Sequence, residues 1–208
     1  RIFMQIWHAG RAAHPLLNDH KDAVSSSAIA IQGETHTPEG KQPYTVPREL
    51  TQAEIQQIVK DFRRGAENAK AAGFDGVEIH AANGYLIDQF LRDGSNKRQD
   101  EYGGSVENRS RFLKQILDEV TSVFGSGRVG VRLSPLNSFN DMRDSDPVAL
   151  TKYLASMLNE YDLAYLHLMR ADFFDQQHAD VVSAARSAYQ GHLMVNMGYT
   201  PDEANQVL

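Results

Sequence analysis

The segment EIHAANGYLIDQFL, residues 78–91, places three side chains with complementary chemistry close together. His80 and Asn83 can each donate a hydrogen bond, and two neutral donors aimed at one point suit an oxygen that gains negative charge in a transition state. Tyr85 can act as a general acid, because a phenol with a reference pKa of about 10 stays protonated at neutral pH. The residue types alone are equally compatible with a hydrogen-bonded histidine at a strand end and a tyrosine that only packs.

Short apolar runs alternate with amphipathic patterns along the chain. The apolar runs predict five buried strands, at residues 2–6, 76–80, 128–133, 163–168 and 192–197. The amphipathic segments predict four helices, over residues 51–73, over 105–125, from 146 onward and over 176–190. Thr51 and Glu54 have the spacing of a capping box for the first helix, and Gly73 would end it.

This alternation predicts an α/β fold with a parallel sheet whose strands are covered. An open doubly wound sheet and a (β/α)8 TIM barrel both satisfy the pattern. No G-x-G-x-x-G or G-x-x-x-x-G-K-[ST] segment follows a strand, so the open nucleotide-binding sheet lacks its best marker. Polar side chains gather just after strand ends, where barrel enzymes keep their sites: His8, His80, Asn83, Arg132 and Asn196. We therefore expect residues 1–208 to form one partial (β/α)8 barrel.

Residues 10–50 form a long excursion between the first strand and the first helix, and they are rich in Gly and Pro. Excursions of this length in compact domains are usually lids or binding loops. We therefore expect residues 10–50 to form a lid over the barrel mouth.

Both ends of the chain interrupt the pattern. The first strand begins at residue 2, and TPDEANQVL leaves the last helix only about two turns, which is short for a stable helix. We expect the chain to be part of a longer protein. The open edges at residues 2–6 and 192–197 would then pair with the missing barrel segments or with another chain.

The composition excludes several classes of protein. The chain has no cysteine, which excludes disulfides, thiolate catalysis and cysteine-held iron–sulfur clusters. Its net charge of −6 argues against a nucleic-acid or anionic-membrane surface. No apolar run approaches the roughly 18–20 residues that cross a bilayer. We therefore expect a cytoplasmic protein with no nucleic-acid partner and no membrane partner.

Several segments together resemble one enzyme family. EIHAANGYLIDQFL and the following NKRQDEYGGSVENRSRF resemble the signature of the old yellow enzyme family of FMN-dependent ene-reductases. QIWHAGR at residues 5–11 resembles that family's third-strand motif, and VRLSP at 131–135 resembles its fifth-strand motif. The resemblance covers essentially the whole chain, is nearest to the N-ethylmaleimide reductase branch, and makes the strands about the third to the seventh of a barrel.

The resemblance implies three residues that would hold FMN. Gln5 would hydrogen-bond the pyrimidine edge of the flavin, and Arg132 would lie near its N1/O2 region, where a fixed cation favours the reduced cofactor. Without the resemblance, a buried amide and an ion-pair partner would be the simpler interpretations of these two residues. Gly198, in the NMGYT loop, would belong to the phosphate site, whose other residues lie past the end of the chain.

The resemblance also implies how an activated alkene would bind. His80 and Asn83 would hold the carbonyl or nitro oxygen of the substrate, and Tyr85 would protonate the carbon alpha to that group. Trp7 would line the substrate pocket, although a single tryptophan is more often part of a core.

We therefore expect an ene-reductase that uses FMN and NADPH in a ping-pong hydride transfer. One alternative is a flavin-free barrel fragment that acts only as a folding or complementation module. The other is a metal-dependent barrel hydrolase that uses His80 with Glu78 and Asp75, since residues 78 and 80 share one face of a strand. No histidine grouping typical of a metal site is present, and we expect no metal.

Overall fold

The computed structural model describes residues 1–207. Its strands are β1 (Phe3–Ile6), β2 (Val24–Ser25), β3 (Glu34–Thr37), β4 (Gly40–Pro43), β5 (Arg48–Glu49), β6 (Gly76–Ala81), β7 (Val129–Leu133), β8 (Tyr165–Met169) and β9 (Leu193–Asn196). Its helices are α1 (Gln52–Ala71), α2 (Leu86–Leu91), α3 (Val106–Phe124), α4 (Pro147–Leu158), α5 (Val181–Ala188) and α6 (Pro201–Val207). Leu208, the last residue of the predicted C-terminal helix, lies outside the described residues.

Five strands form one parallel sheet in the order β1-β6-β7-β8-β9. Each strand coincides with a predicted apolar run, with ends that differ from the predicted ends by at most two residues. Helices α1, α3, α4 and α5 separate the strands along the chain. Parallel neighbours joined by helices are the repeating unit of a (β/α)8 barrel. The predicted fold, an incomplete barrel, is therefore confirmed.

Local signals set most helix ends. Thr51 Oγ1 accepts a hydrogen bond from the Glu54 N–H (3.3 Å), and Glu54 Oε2 accepts one from the Thr51 N–H (2.9 Å), so the predicted capping box is present. Helix α5 begins at residue 181 rather than 176. The reason is that the Asp172 carboxylate accepts from the Gln176 and Gln177 N–H groups, which holds that stretch as a loop.

Helix α2 was not predicted from the pattern. All six of its side chains are buried, including the polar Asp88 and Gln89, so it has no solvent-exposed face and therefore no amphipathic period to reveal it.

The two faces of the parallel sheet differ in character. Val77, Ile79 and Ala81 of β6 are fully buried and belong to the core formed with the helices. Alternate residues point the other way, toward the barrel interior, and there Gly76 and Gly130 leave room for two rings. The rings of Phe3 and Tyr165 fill this space with their centroids 5.7 Å apart.

Residues 10–50 are ordered by short strand pairs and by contacts with the segment after β6. Strands β2 and β5 pair in parallel, and β3 and β4 form an antiparallel hairpin. Ser26 Oγ donates to the Gln89 carbonyl (2.8 Å), and Arg98 Nη1 donates to the Leu50 carbonyl (2.7 Å). The excursion is thus anchored at its middle and at its C-terminal end, and its action as a lid stays a prediction.

The outer strands β1 and β9 carry exposed apolar side chains, among them Met4 at 37% and Met194 at 47% exposure. Pairing of these edges with further barrel segments or with another chain stays a prediction. Within residues 1–207, no helix is long and apolar enough to cross a membrane.

Replacing Gly76 with alanine is expected to lower the free energy of unfolding by roughly 1–3 kcal/mol, because overpacking a tight interior forces neighbours to move. The new Cβ would lie 2.4 Å from the Arg128 carbonyl oxygen and 2.5 Å from the Phe3 ring. Gly127→Ala is the matched control, since nothing lies within 4 Å of a Cβ at that position. Urea denaturation measures both, and equal unfolding free energies for the two variants would contradict this account.

Candidate active site

The strand register places three of the candidate site residues, Gln5, His80 and Arg132, on one face of the sheet. Gln5 lies opposite Glu78, and His80 lies opposite Arg132. Because Glu78 and His80 are two residues apart in β6, Gln5, His80 and Arg132 all face the barrel interior. All three lie in the C-terminal halves of their strands, the end where barrel enzymes keep their sites.

Trp7, His80 and Tyr85 form an aromatic cluster at this end of the sheet. The Tyr85 ring packs edge-on against Trp7, with centroids 4.3 Å apart, and against His80, with centroids 5.1 Å apart. Trp7 is 53% exposed, so it lines an open surface rather than a core.

The His80 ring is a neutral hydrogen-bond donor. Its Nδ1 accepts from the Ala82 N–H at 3.3 Å, which leaves the ring proton on Nε2. Burial, and then the positive charge of Arg132, lower the pKa of His80 to about 4. At neutral pH the ring is therefore uncharged and its Nε2–H is available to a ligand.

The backbone and side chain of Asn83 are held by neighbouring residues, and only its side-chain NH2 group is left without a partner in residues 1–207. Its φ of +57° is in the left-handed region, which asparagine tolerates better than most residues. Its N–H donates to Ser134 Oγ (2.7 Å), and its carbonyl accepts from Asn140 Nδ2 (2.9 Å). Its side-chain Oδ1 accepts from Asn137 Nδ2 (2.9 Å), so Nδ2 remains as a donor.

The residues that hold Asn83 were given no role in the sequence analysis. Ser134 belongs to the VRLSP motif at the end of β7, and Asn137 and Asn140 follow that motif. Their position after the neighbouring strand end is the signal that could have revealed them.

The turn between Asn83 and Tyr85 rests on a buried carboxylate that was also missed. Asp88 Oδ2 accepts from the Gly84 N–H at 2.8 Å, and burial raises the pKa of Asp88 to about 6. Gly84 has a φ of +71°, and a Cβ there would lie 2.6 Å from the Asn140 Cβ. Only glycine fits this close approach, so the turn is tightly specified.

The Tyr85 hydroxyl has no hydrogen-bond partner within the described part of the chain. Burial raises the pKa of Tyr85, and the nearby Tyr44 phenol raises it further, so the hydroxyl keeps its proton at neutral pH. The structure thus presents a protonated phenol beside the His80 ring.

A second polar network, centred on Glu78, lies on the interior face. Glu78 Oε2 accepts from Gln5 Nε2 (2.5 Å), and Glu78 Oε1 contacts His167 Nδ1 (2.9 Å). Burial opposes the charge on Glu78, but the hydrogen bonds from His167 and Gln5 outweigh it and hold the pKa of Glu78 below its usual value. His167 was not anticipated; its interior position in β8, opposite Arg132, was the available signal.

Three residues fit the FMN that the resemblance implies. Arg132 Nε is buried and donates to no group within residues 1–207, so it offers an unmet donor to a flavin oxygen. Gln5 is exposed and keeps Oε1 free to accept from a flavin N–H. Gly198 has a φ of +68°, and a Cβ there would meet nothing nearer than Arg170 Nη2 at 4.0 Å, so its backbone is open to approach.

The structure does not bring the proposed hydrolase ligands together. Asp75 precedes β6, at the opposite end of the strand from His80, and accepts from the Ile2 N–H at 2.7 Å. Among residues 1–207, no group of three or more His, Asp or Glu side chains is arranged to hold a metal ion.

Comparison with known sequences identifies a family. The model described as the NADH:flavin oxidoreductase / NADH oxidase family matches residues 1–203. A probable flavin mononucleotide-dependent alkene reductase of Leishmania infantum is 49% identical over 210 residues, covering 98% of this chain and 57% of that protein. The 12-oxophytodienoate reductase 1 of Oryza sativa subsp. japonica is 42% identical over 214 residues, covering 100% of this chain and 55% of that protein.

Solved structures give the same answer. The old yellow enzyme from Trypanosoma cruzi superimposes with a TM-score of 0.94 at 41% identity, covering 99% of this chain and 59% of that one. Morphinone reductase superimposes with a TM-score of 0.92 at 39% identity, covering 99% and 58%. This chain therefore spans somewhat over half the length of the relatives it matches. Sequence and fold agree, and the chain belongs to the NADH:flavin oxidoreductase / NADH oxidase family, as a member of the old yellow enzyme family.

Proposed function

We propose that this protein is an FMN-dependent alkene reductase that reduces the activated C=C bond of α,β-unsaturated carbonyl or nitro compounds with NAD(P)H. The observation that carries the proposal is the neutral His80 ring packed against the Tyr85 ring, whose phenol keeps its proton and has no protein partner within residues 1–207. The relatives named above include an alkene reductase, and morphinone reductase has been solved with tetrahydroNAD.

His80 and Asn83 would hold the oxygen of the activating group. The free donors are His80 Nε2–H and Asn83 Nδ2–H, because Nδ1 and Oδ1 are already engaged as acceptors. Two neutral donors can stabilise the negative charge that develops on the substrate oxygen in the transition state. Trp7, exposed beside Tyr85, would form one wall of the pocket.

FMN, when bound, would supply the hydride chemistry, accepting a hydride from the nicotinamide and delivering it to the β-carbon of the alkene in a ping-pong sequence. Tyr85 would donate its proton to the α-carbon, so hydride and proton together saturate the double bond. Gln5, Arg132 and Gly198 would hold the cofactor through the free groups described above. A preference for NADPH over NADH and a cytoplasmic location remain predictions, as does the N-ethylmaleimide reductase branch.

The flavin-free folding or complementation module is the second candidate. The exposed Met4 and Met194 on the outer strands favour it, because such edges invite pairing with a further strand. An absorbance spectrum of the purified protein separates the two, since bound oxidised flavin is yellow and a module without cofactor is colourless.

Tyr85→Phe is expected to slow the reduction of an enone by roughly 10²- to 10⁴-fold, the usual contribution of a positioned general acid. Reduction of the bound flavin by NADPH needs no such proton donor and should change little. Stopped-flow absorbance measures the two half-reactions separately. Tyr153→Phe, on the distant helix α4, is the control and should leave both rates unchanged. Equal losses in both half-reactions would refute the role assigned to Tyr85.

His80 is expected to stay neutral from pH 8 down to about pH 5 and to gain its proton near pH 4. A folded-state pKa below the unfolded value of about 6.5 means that the native state resists protonation. The free energy of unfolding should therefore fall as pH drops from about 6.5 to 4, by up to roughly 3 kcal/mol from this residue.

NMR titration of the His80 ring gives the pKa directly, with His80→Gln to assign the signal. Urea denaturation at pH 7 and pH 4 gives the stability change, which should be smaller in His80→Gln than in the unaltered protein. A His80 midpoint near 6.5 would show that Arg132 and burial do not act as described.

A further inference from the structure

The loop after β9, residues 197–199, is held by one arginine. Arg170 follows β8, and its N–H donates to the Asn196 carbonyl (3.2 Å), which aligns the two strand ends. Arg170 Nε then donates to the Met197 carbonyl (2.8 Å), and Nη2 donates to the Gly198 carbonyl (2.6 Å). One side chain therefore captures two consecutive peptide carbonyls.

This capture determines where the loop amides point. In a trans peptide the N–H lies opposite the carbonyl, so the Gly198 and Tyr199 N–H groups point away from Arg170. Neither amide donates a backbone or side-chain hydrogen bond within residues 1–207. Two adjacent unpaired amides on one side of a loop form an anion-binding concavity.

The loop conformation needs this support. Gly198 has a φ of +68°, and Met197, which is not a glycine, has a φ of +91°. Positive φ at a residue with a side chain is strained and persists only where surrounding contacts enforce it. The bond from Arg170 Nε to the Met197 carbonyl is such a contact.

Most N–H groups of Arg170 are already engaged by groups of the protein. Its Nη2 also contacts Glu203 Oε2 (3.3 Å), its Nη1 contacts Glu203 Oε1 (3.5 Å), and its guanidinium lies 3.7 Å from the Tyr199 ring centroid. Glu203 is in turn fixed by the Thr200 N–H (2.9 Å). The guanidinium charge is thus balanced by a carboxylate and stacked on a ring.

We propose that Arg170 is a positioning residue for the FMN phosphate, acting through the Gly198 and Tyr199 amides that it aims. This inference rests on the proposed function, because it requires that the protein bind FMN. It extends that function to Arg170, which follows β8, whereas the loop of residues 197–199 follows β9. The loop follows β9 at the carboxyl edge of the sheet, the edge to which His80 and Arg132 belong.

The test compares FMN with riboflavin, which carries the same ring system without the phosphate. Flavin-free protein is titrated with each ligand, and binding is followed by quenching of flavin fluorescence. Arg170→Ala should weaken FMN binding about 10- to 100-fold, since charge-assisted hydrogen bonds from two amides are lost, and riboflavin binding less than about threefold. Arg170→Lys keeps the charge but cannot hold both carbonyls, so it should show the same selective loss and carries the test if Arg170→Ala does not fold.

Arg186→Ala is the matched control. Arg186 also donates to two backbone carbonyls, those of Gly191 and Tyr189, but it lies before β9, at the far end of that strand. Its replacement should leave the ratio of FMN to riboflavin affinity unchanged.

Three results would overturn the proposal for Arg170. They are an unchanged FMN affinity in Arg170→Ala, an equal loss for both ligands, and Arg170→Lys binding FMN as the unaltered protein does. If the unaltered protein binds neither ligand, the proposed function fails together with this inference. If the unaltered protein binds FMN, any of the three results described for the Arg170 variants would overturn the role of Arg170 without contradicting the proposed function.

Discussion

The parallel pairing of β6 with β7 is the constraint on which the rest of the site depends. It sets Glu78 opposite Gly130 and His80 opposite Arg132. A shift by one residue would exchange the buried Val77, Ile79 and Ala81 with the interior polar residues, which the core does not tolerate. The core thus enforces a register that brings a guanidinium next to the His80 imidazole, and this neighbour helps to keep the ring neutral.

The charges on the interior face are balanced locally. Glu78 keeps its negative charge because Gln5 and His167 donate to it, and the positive charge of Arg132, two residues along the neighbouring strand, lowers the pKa of Glu78 further. His80 stays uncharged between them. A buried carboxylate and a half-buried guanidinium with a neutral donor beside them suit a cofactor whose charge changes during turnover.

The loops that follow several strands hold the residues of the candidate site in place. Asn137 and Asn140, after β7, fix the amide of Asn83, which follows β6. Arg170, after β8, fixes the loop that follows β9. Each loop is therefore held by the loop of a neighbouring strand. The site is built from these cross-strand contacts at the carboxyl edge of the sheet.

The sequence by itself determined the main elements and the family. Apolar runs located the five strands of the parallel sheet, and Thr51, Ser105 and Asp146 marked helix starts that the structure contains, whereas the buried helix α2 was missed. These signals act within a few residues, so they can be recognised without the fold. The motif around His80, Asn83 and Tyr85 carried the resemblance, and with it an expected role for each residue.

Only the tertiary structure decided how those residues are held and charged. The partners of Glu78 and Asn83 lie 89 and 54 positions away, at His167 and Asn137. Arg170 and the Met197 carbonyl are 27 positions apart. Residue periodicity shows which face of a strand a side chain occupies. It does not show which strand lies beside it or which of its acceptor atoms already accept a hydrogen bond from the protein. Register and burial decide both, and through them the pKa of His80 and the donors left for a ligand.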